Sequence, residues 1–466
     1  MQLVRRALVV LVVLALGSAG AAWVLAGREA GPTIEIKSPA TTIGQKSTLE
    51  LFVDAPGGKL TRLTATVSQG DQTMPVFALD DANGTAGDVK QASSDRLWII
   101  RPIGKATQPA LAAGKATITV TAARPVLFGY REAVTTATKD VTVRLEPPRV
   151  AVISVHHFLN LGGSEFVVMR ATPNDVEAGV KVGGATFRAF PGSAVGLSDP
   201  ALRVAFFALP FDQDAATPVS VFARDEGGNE AVASLERQAF PKVFQRSRIP
   251  IDDAFLGKVV PAIASNTPDL GVDTGNLLEA FLAINRDLRQ KNNATIASLA
   301  AKTAPKMLWT EAFAQLGNTQ VESRFADNRT YVYQGKEVDR QTHLGFDLAS
   351  TAQAAVTASN AGTVVHAAYL GIYGNCVIVD HGLGVQSLYA HLSSMDVKEG
   401  DTVTKGQTLG RSGTTGLAGG DHLHFTMLVG GVQVNPVEFW DGHWMEDRVF
   451  RKVREAGGTA PALAGK

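Results

Sequence analysis

Five residues near the C-terminus have the types and spacing of a metal-dependent hydrolytic site: His343, Asp347, His391, His422 and His424. Neutral imidazoles together with one carboxylate are a ligand set that suits Zn²⁺. Three protein ligands leave a position open for water, and the two remaining groups are then available for proton transfer and charge stabilisation. Structural zinc sites fill all four positions, most often with cysteines. The chain has one cysteine, so the pattern predicts a catalytic metal.

Alternation of polar and apolar residues predicts the strands that must hold these groups. His422 and His424 alternate with apolar residues, so both side chains are expected on one face of a strand. A second strand is predicted around His391, with Tyr389 on the same face as His391 and apolar neighbours on the other. Two strands therefore each present a face that bears histidine.

The pair His343 and Asp347 is spaced by four residues, which would suit a helix. Gly345 lies between them, and the flanking apolar residues do not follow helical periodicity. An extended or gently turned segment also brings positions i and i+4 to one side. We predict that this segment is extended.

The arrangement of these residues resembles the LytM/lysostaphin-type zinc metallopeptidases, which cut peptide cross-links in bacterial cell walls. The HxxxD, single His and HxH set carries the resemblance, which extends from about residue 343 to about residue 440, roughly a fifth of the chain. Further matching segments follow in order: 345–349, 362–365, 373–375, 379–382, 389–393, 403–407 and 435–436.

The resemblance implies that His343, Asp347 and His424 are zinc ligands and that His391 and His422 are the catalytic pair that does not bind metal. All five are retained, whereas some relatives in the family have lost ligands and act as activators of other hydrolases. The implied chemistry is hydrolysis of an amide by a water that the metal activates, with one histidine as base and the other stabilising the oxyanion. Spacing does not assign these two roles.

The remaining histidines are interpreted as structural. His366 lies in a predicted strand, His381 opens a turn, and the others lie outside the matched segments: His156, His157 and His443. The glycine-rich run 413–420 lacks the GK[ST] ending of a phosphate-binding loop and precedes a strand. We therefore predict no nucleotide site and interpret this run as a loop that lets the backbone approach a substrate.

The overall charge bears on possible partners, and the N-terminal segment predicts the location of the protein. The 44 basic and 44 acidic residues cancel, so no overall field indicates binding to nucleic acid. Residues 1–27 carry Arg5 and Arg6 before an apolar run from Ala7 to Ala26, about the length that spans a bilayer. We expect a signal anchor in the inner membrane with the rest on the periplasmic side. Cleavage near Ala19-Gly-Ala21 would instead give a secreted protein.

Composition along the chain predicts a mostly β, multidomain protein. Alternating segments and turn residues indicate an immunoglobulin-like β-sandwich module over 32–146 and a second immunoglobulin-like β module over 149–240. Helical spacing indicates a connector over 250–315, in which Asp273, Thr274 or Asn276 would cap the first helix. An antiparallel β peptidase domain with a zinc groove follows over 318–445, and a C-terminal tail over 446–466.

These observations predict an exported, zinc-dependent endopeptidase that acts on peptidoglycan cross-links. Two alternatives stay open: a wall-binding protein or amidase activator that does not cleave, and a zinc protease that acts on exported proteins. The helical connector is a further hypothesis, because a segment placed directly before a hydrolase could cover its groove and inhibit it.

Overall fold

The structure is a computed structural model that describes residues 2–79 and 89–460. The chain divides into two compact units. The first comprises residues 1–148, 175–177 and 224–231, and the second comprises 149–174, 178–223 and 232–466. The fold class predicted from the sequence, mostly β and multidomain, is confirmed.

The first unit begins with a long apolar helix and continues as two facing sheets. Its elements are α1 (Gln2–Ala26), β1 (Thr33–Ser38), β2 (Thr42–Ile43), β3 (Ser47–Asp54), β4 (Arg62–Gln69), β5 (Gln72–Ala78), β6 (Val89–Gln91), β7 (Arg96–Ile103), β8 (Gly114–Val126) and β9 (Arg131–Val143). The sheets have the orders β1-β3-β7-β6 and β2-β9-β8-β4-β5. Alternate residues of both sheets, among them Leu51, Val67 and Ile118, form one shared core. Helix α1 is long and apolar enough to cross a membrane.

A second two-sheet module opens the second unit. Its strands are β10 (Arg149–Val152), β11 (Phe158–Asn160), β12 (Ser164–Thr172), β13 (Glu177–Val182), β14 (Ala185–Arg188), β15 (Phe190–Pro191), β16 (Leu202–Ala208), β17 (Val219–Arg224), β18 (Glu230–Ser234) and β19 (Gln238–Phe240). The two four-stranded sheets have the orders β10-β12-β16-β15 and β14-β13-β17-β18, and β11 pairs with β19.

The connector contains three helices: α2 (Asp253–Asn266), α3 (Leu277–Ala283) and α4 (Arg289–Leu299). Asp252 caps α2, and Asn276, one of the predicted capping residues, accepts a hydrogen bond from the backbone N–H of Glu279. A π-turn over 284–288 joins α3 to α4. Buried residues of these helices, such as Phe281 and Ile296, share one core with Ile378 and Leu388 of the peptidase sheet. The connector therefore packs against the sheet as part of a common fold.

The C-terminal region is built mainly from antiparallel strands. They are β20 (Arg246–Ile251), β21 (Gln320–Ser323), β22 (Asp327–Tyr333), β23 (Lys336–His343), β24 (Phe346–Ala349), β25 (Ala355–Thr357), β26 (Gly362–Tyr369), β27 (Asn375–Asp380), β28 (Val385–Leu392), β29 (Ser394–Met395), β30 (Thr402–Val403), β31 (Thr408–Arg411), β32 (Leu423–Val429) and β33 (Val432–Val434). The main sheet has the order β21-β24-β32-β28-β27-β26-β30, with β33 beside β32. Strand β20 precedes the predicted boundary at residue 318 but pairs in parallel with β22.

Four further segments follow the last strand: the helices α5 (Val437–Trp440), α6 (Gly442–Met445) and α7 (Arg451–Glu455), and a π-turn over 446–450. Phe450 and Val453 of the predicted C-terminal tail are buried. Lys452 donates hydrogen bonds to the Glu165 carboxylate and the Phe166 carbonyl. The first ten residues of that predicted tail are thus a packed helical segment, and residues 461–466 lie outside the described part of the chain.

Candidate metal and catalytic site

Three strands bring His343, Asp347 and His424 together. His343 ends β23, Asp347 lies in β24, and His424 lies in β32. The extended conformation predicted for 343–347 is confirmed. Strand β24 pairs with β32 so that Asp347 stands opposite His424, and directly opposed residues share a face of the sheet.

The three side chains converge on one point. His343 Nε2 lies 2.9 Å from Asp347 Oδ1 and 2.9 Å from His424 Nδ1. His424 Nδ1 lies 3.1 Å from the same Oδ1. Two ring nitrogens and a carboxylate oxygen within 4.8 Å of one another could hold a metal ion. All three residues are buried.

Neighbouring groups fix the orientation of the first histidine and of the carboxylate. His343 Nδ1 lies 3.2 Å from the Arg324 carbonyl, which must accept the proton, so Nε2 is left to face the cluster. Arg329 donates from Nη2 to Asp347 Oδ2 at 2.7 Å, which leaves Oδ1 toward the cluster. Sequence reasoning missed Arg329, because no motif includes it and only the pairing of β22 with β23 brings it to the site.

His391 and His422 lie beside this cluster with their ring centroids 4.9 Å apart. Each donates its Nδ1–H to a backbone carbonyl: His391 to Thr415 at 2.8 Å and His422 to Gly420 at 2.9 Å. A carbonyl can only accept, so both rings present Nε2 to the site. His422 Nε2 is 3.4 Å from Asp347 Oδ1. All five predicted residues therefore meet in one place.

The predicted face of Tyr389 is wrong, and a β-bulge explains why. Ala390 stands opposite His424, and Tyr389 stands opposite Phe425, so Tyr389 points away from the cluster. Between β27 and β28, Cys376 faces two residues, Ala390 and His391, and His391 has a φ of 63°. The bulge breaks the alternation and turns the imidazole of His391 to the His424 side.

Burial and charge set the protonation of the cluster. Burial alone would raise the pKa of the Asp347 carboxyl. The charge interaction with His343 and the hydrogen bonds from His343, His422 and His424 outweigh burial, so this pKa lies well below its usual value. Burial lowers the pKa of His424 to about 4. Burial, reinforced by His422 and His424, lowers the pKa of His391 well below its usual value. These shifts favour the charged form of the Asp347 carboxylate and the neutral form of the His424 ring, which are the forms in which each group binds a metal.

A cavity of about 240 Å³ opens onto the cluster. Its walls include Arg289 and Asn293 of the connector, together with Glu322, Tyr373 and Leu417. The basic and acidic groups and the apolar surfaces could bind a polar peptide. The connector thus forms one wall of the groove.

The histidines interpreted as structural do not line this cavity. His381 is buried and lies 2.7 Å from both the Ala361 carbonyl and Ser387 Oγ, with burial lowering its pKa to about 4. His157 is buried with its ring near Ser154. Both histidines have partners elsewhere in the fold.

Comparison with known proteins identifies this region. Residues 341–436 match the model of peptidase family M23. The DD-carboxypeptidase/endopeptidase Mpg of Neisseria meningitidis is 41% identical over 95 residues, which cover 20% of this chain and 22% of that protein. The peptidoglycan DD-endopeptidase ShyA of Vibrio cholerae is 38% identical over 96 residues, 21% of this chain and 22% of that protein. The chain thus matches about a fifth of the length of these relatives.

Among solved structures, the catalytic domain of the antimicrobial peptidase lysostaphin from Staphylococcus simulans is similar to this chain. It is 26% identical, and the match covers 31% of this chain and 96% of that domain with a TM-score of 0.20.

Proposed function

Because residues 341–436 form a peptidase M23 domain, we propose that this protein is an exported zinc-dependent endopeptidase that hydrolyses peptide cross-links of bacterial peptidoglycan. The relatives named as peptidoglycan DD-endopeptidases support this substrate. The observation that carries the proposal is the convergence of His343, Asp347 and His424 beside two histidines that both present Nε2.

The donor set fits zinc. Two imidazole nitrogens and one carboxylate oxygen are the ligand types that zinc prefers, and their number leaves room for a water or substrate atom. The three donor atoms lie about 3 Å apart, as groups do when they face one common centre. We assign His343 Nε2, Asp347 Oδ1 and His424 Nδ1 as the ligand atoms.

Zinc bound there supplies polarisation of the scissile carbonyl and activation of water. The protein contributes the remaining steps. One of His391 and His422 takes a proton from the attacking water through Nε2. The other, which carries a proton on Nε2 as well as on Nδ1, donates a hydrogen bond to the negative charge that develops on the carbonyl oxygen. When the carbon–nitrogen bond breaks, a histidine returns a proton to the departing amine. The backbone carbonyls of Thr415 and Gly420 hold both rings in place for these transfers.

Helix α1 supports the proposed location. Its 23-residue span from Val4 to Ala26 is apolar enough to cross a bilayer, and Arg5 and Arg6 at one end favour the cytoplasmic side for the N-terminus. We propose that α1 anchors the protein with both β modules and the peptidase region outside the cytoplasm.

The proposal is tested with the purified full-length chain, isolated peptidoglycan sacculi and mass spectrometry of the released fragments. Four samples separate the roles: the zinc-loaded wild type, the wild type with chelator, His391→Ala and His424→Ala. We expect cross-linked fragments to fall to monomers only with the zinc-loaded wild type. Zinc content should persist in His391→Ala and be lost in His424→Ala, because only His424 is assigned as a ligand.

Intact cross-links with zinc fully bound would contradict the endopeptidase and favour a wall-binding protein or an amidase activator. Cleavage of a denatured protein substrate together with intact sacculi would favour a protease of exported proteins.

A further inference from the structure

The tip of the β8–β9 hairpin exposes two aromatic rings to the surroundings. Its residues are Leu127, Phe128, Gly129 and Tyr130, and the side chains of Phe128 and Tyr130 are fully exposed and 79% exposed, respectively. Leu127 and Phe128 have positive φ values of 50° and 56°, an unfavourable conformation for residues with large side chains. Exposed aromatic rings on strained backbone contribute nothing to the core of the module.

The hairpin tip lies beside the C-terminal end of helix α1. Ala26 packs in a small apolar cluster with Val126, Leu127 and Ala133. Arg131 donates from Nη1 to the Trp23 carbonyl at 2.6 Å, and its guanidinium lies 5.3 Å from the centroid of the Trp23 ring. The end of the helix and the tip are therefore held together by packing, a hydrogen bond and a cation–π contact.

These contacts define the direction in which the hairpin points. Gly31 lies against Thr135, Gly27 lies against Arg131, and Ala26 lies in the cluster against which Leu127 packs. From Gly31 back to Ala26, each residue therefore lies beside a hairpin residue that is closer to the tip. The tip and the membrane-crossing helix extend to the same side of the β module.

The lengths place the tip at the level of the membrane surface. The apolar run from Ala7 to Ala26 would extend about 30 Å as a helix, which is the thickness of the hydrocarbon core. Ala26 would then lie at its outer boundary, with Trp23 in the interfacial zone where tryptophan and tyrosine are enriched. Leu127 packs against the apolar cluster that contains Ala26, which puts Phe128 and Tyr130 next to that boundary.

We propose that residues 127–130 insert into the outer interface of the bilayer that α1 crosses, with Phe128 and Tyr130 at the boundary between headgroups and acyl chains. This inference rests on the proposal that α1 spans the membrane. The partner is a phospholipid surface, because the tip packs against the end of an apolar helix that is long enough to cross a bilayer and because two basic residues of the same hairpin, Arg124 and Arg131, donate hydrogen bonds to the Ala30 and Trp23 carbonyls beside it. Arg124 is ion-paired with Glu29, and Glu132 with Arg62.

A tip that inserts beside the helix gives the first β module a second attachment point. One helix alone allows the module to rotate and tilt about the point where the chain leaves the membrane. Two attachments restrict that motion, so the module would hold a defined orientation to the membrane surface.

The test measures the depth of single labels on the full-length chain in lipid nanodiscs. A bimane is attached at Phe128→Cys, Tyr130→Cys, Leu14→Cys or Lys115→Cys, and quenching is compared between lipids that carry nitroxides near the headgroup and deep in the acyl chain. Lys115 is the matched control, because it is exposed on the same strand β8 about 40 Å from the tip. Native Cys376 is buried, and the unsubstituted chain treated with bimane measures its background.

We expect the labels at positions 128 and 130 to lose more than half of their emission with shallow nitroxides. The label at position 14 should be quenched most by deep nitroxides. The label at position 115 should be unaffected by either. Quenching at position 14 without quenching at 128 and 130 would overturn the inference and leave the anchor intact. Absence of quenching at position 14 would overturn the anchor itself. Quenching at 128 and 130 in that case would still support insertion of the tip, as a peripheral contact.

Discussion

Arg329 donates a hydrogen bond of 2.7 Å to Oδ2 of Asp347, while Oδ1 of the same carboxylate faces His343 and His424. One oxygen is thereby used by the protein and the other is left for the proposed metal. Residues that hydrogen-bond to a metal ligand without binding the metal commonly contribute about 10–100-fold to metal affinity. The Arg329 side chain is 21% exposed, so its contact with Asp347 is largely shielded from solvent.

We predict that Arg329→Met weakens zinc binding by about 10–100-fold, because the carboxylate loses the donor that fixes it. Competition with a chromogenic chelator measures the zinc affinity directly. Arg340→Met is the matched control, since Arg340 is exposed on the adjacent strand β23 and pairs with Glu337. Equal zinc affinities in the two variants would show that Arg329 does not contribute to metal binding.

Gly345 permits the close approach of His424. A Cβ at this position would lie 2.6 Å from Nε2 of the His424 ring and 2.8 Å from the Phe425 carbonyl oxygen, which is closer than unstrained contacts allow. We predict that Gly345→Ala displaces the ring and lowers both zinc affinity and peptidase activity by about tenfold or more. Gly317→Ala, where a Cβ would meet nothing within 4 Å, should leave both unchanged. Full activity in Gly345→Ala would mean that the strand can shift to accommodate the methyl group.

The five residues that meet at the candidate site could be named from the sequence because their types, and the short spacings within HxxxD and HxH, are visible there. What could not be predicted is the geometry that depends on pairing between strands. His391 reaches the site through a bulge that appears only when β28 is aligned with β27. Arg329 precedes His343 by fourteen residues and becomes a neighbour of Asp347 only after β22 and β23 pair.

Some elements of the fold have a clear pattern in the sequence, and others do not. Strands β1, β3 and β4 alternate between more buried and more exposed residues, and this alternation is what predicts the first β module from the sequence. Strand β5 has a weaker strand signal because it contains Pro75; proline within a sheet is tolerated mainly in edge strands, and β5 lies at the edge of its sheet. Helix α2 was not placed because Gly257 and Pro261 interrupt its pattern. Its buried face against the sheet compensates for both residues.

The connector is predicted to be required for folding of the peptidase region. A chain that starts at residue 318 lacks β20 and all three helices, and it exposes the part of the shared core contributed by the sheet, including Ile378, Leu388 and Leu428. We expect such a chain to be insoluble or to lack cooperative unfolding in circular dichroism. A chain that starts near residue 149 retains the whole second unit and is the control. A soluble, active chain from residue 318 would revive the hypothesis that the connector is a removable inhibitor.

Arg289 tests what the connector contributes to the groove. It lines the cavity while donating hydrogen bonds to Asn285. Wall peptides carry free carboxylates that Arg289 could bind. We predict that Arg289→Ala raises KM about fivefold with little change in kcat. This change in KM corresponds to the loss of a partly solvated ion pair that contributes about 1 kcal/mol to substrate binding. Lys291→Ala removes the same charge from an exposed position of the same helix and should not change KM. Higher activity in Arg289→Ala would instead indicate that this wall obstructs the substrate.

Glu438 makes the stability of the second unit depend on pH. Its buried carboxyl accepts hydrogen bonds from Asn160 Nδ2 and from the backbone N–H and hydroxyl of Ser164, yet burial raises its pKa from 4.5 to about 7. The folded state thus binds this proton more tightly than the unfolded state does. Its contribution to stability is fully present below about pH 4.5 and declines as pH rises to 7, by up to about 3 kcal/mol.

We predict that Glu438→Gln, which retains a hydrogen-bond acceptor but does not titrate, is more stable relative to wild type at pH 8 than at pH 5. Urea unfolding followed by tryptophan fluorescence measures this difference, because Trp309, Trp440 and Trp444 all lie in the second unit. Asp269→Asn, at an exposed acidic position of the same unit, controls for the loss of one negative charge. If the difference between wild type and Glu438→Gln is the same at both pH values, the carboxylate is stabilised in the folded state by its three donors as well as it is in water.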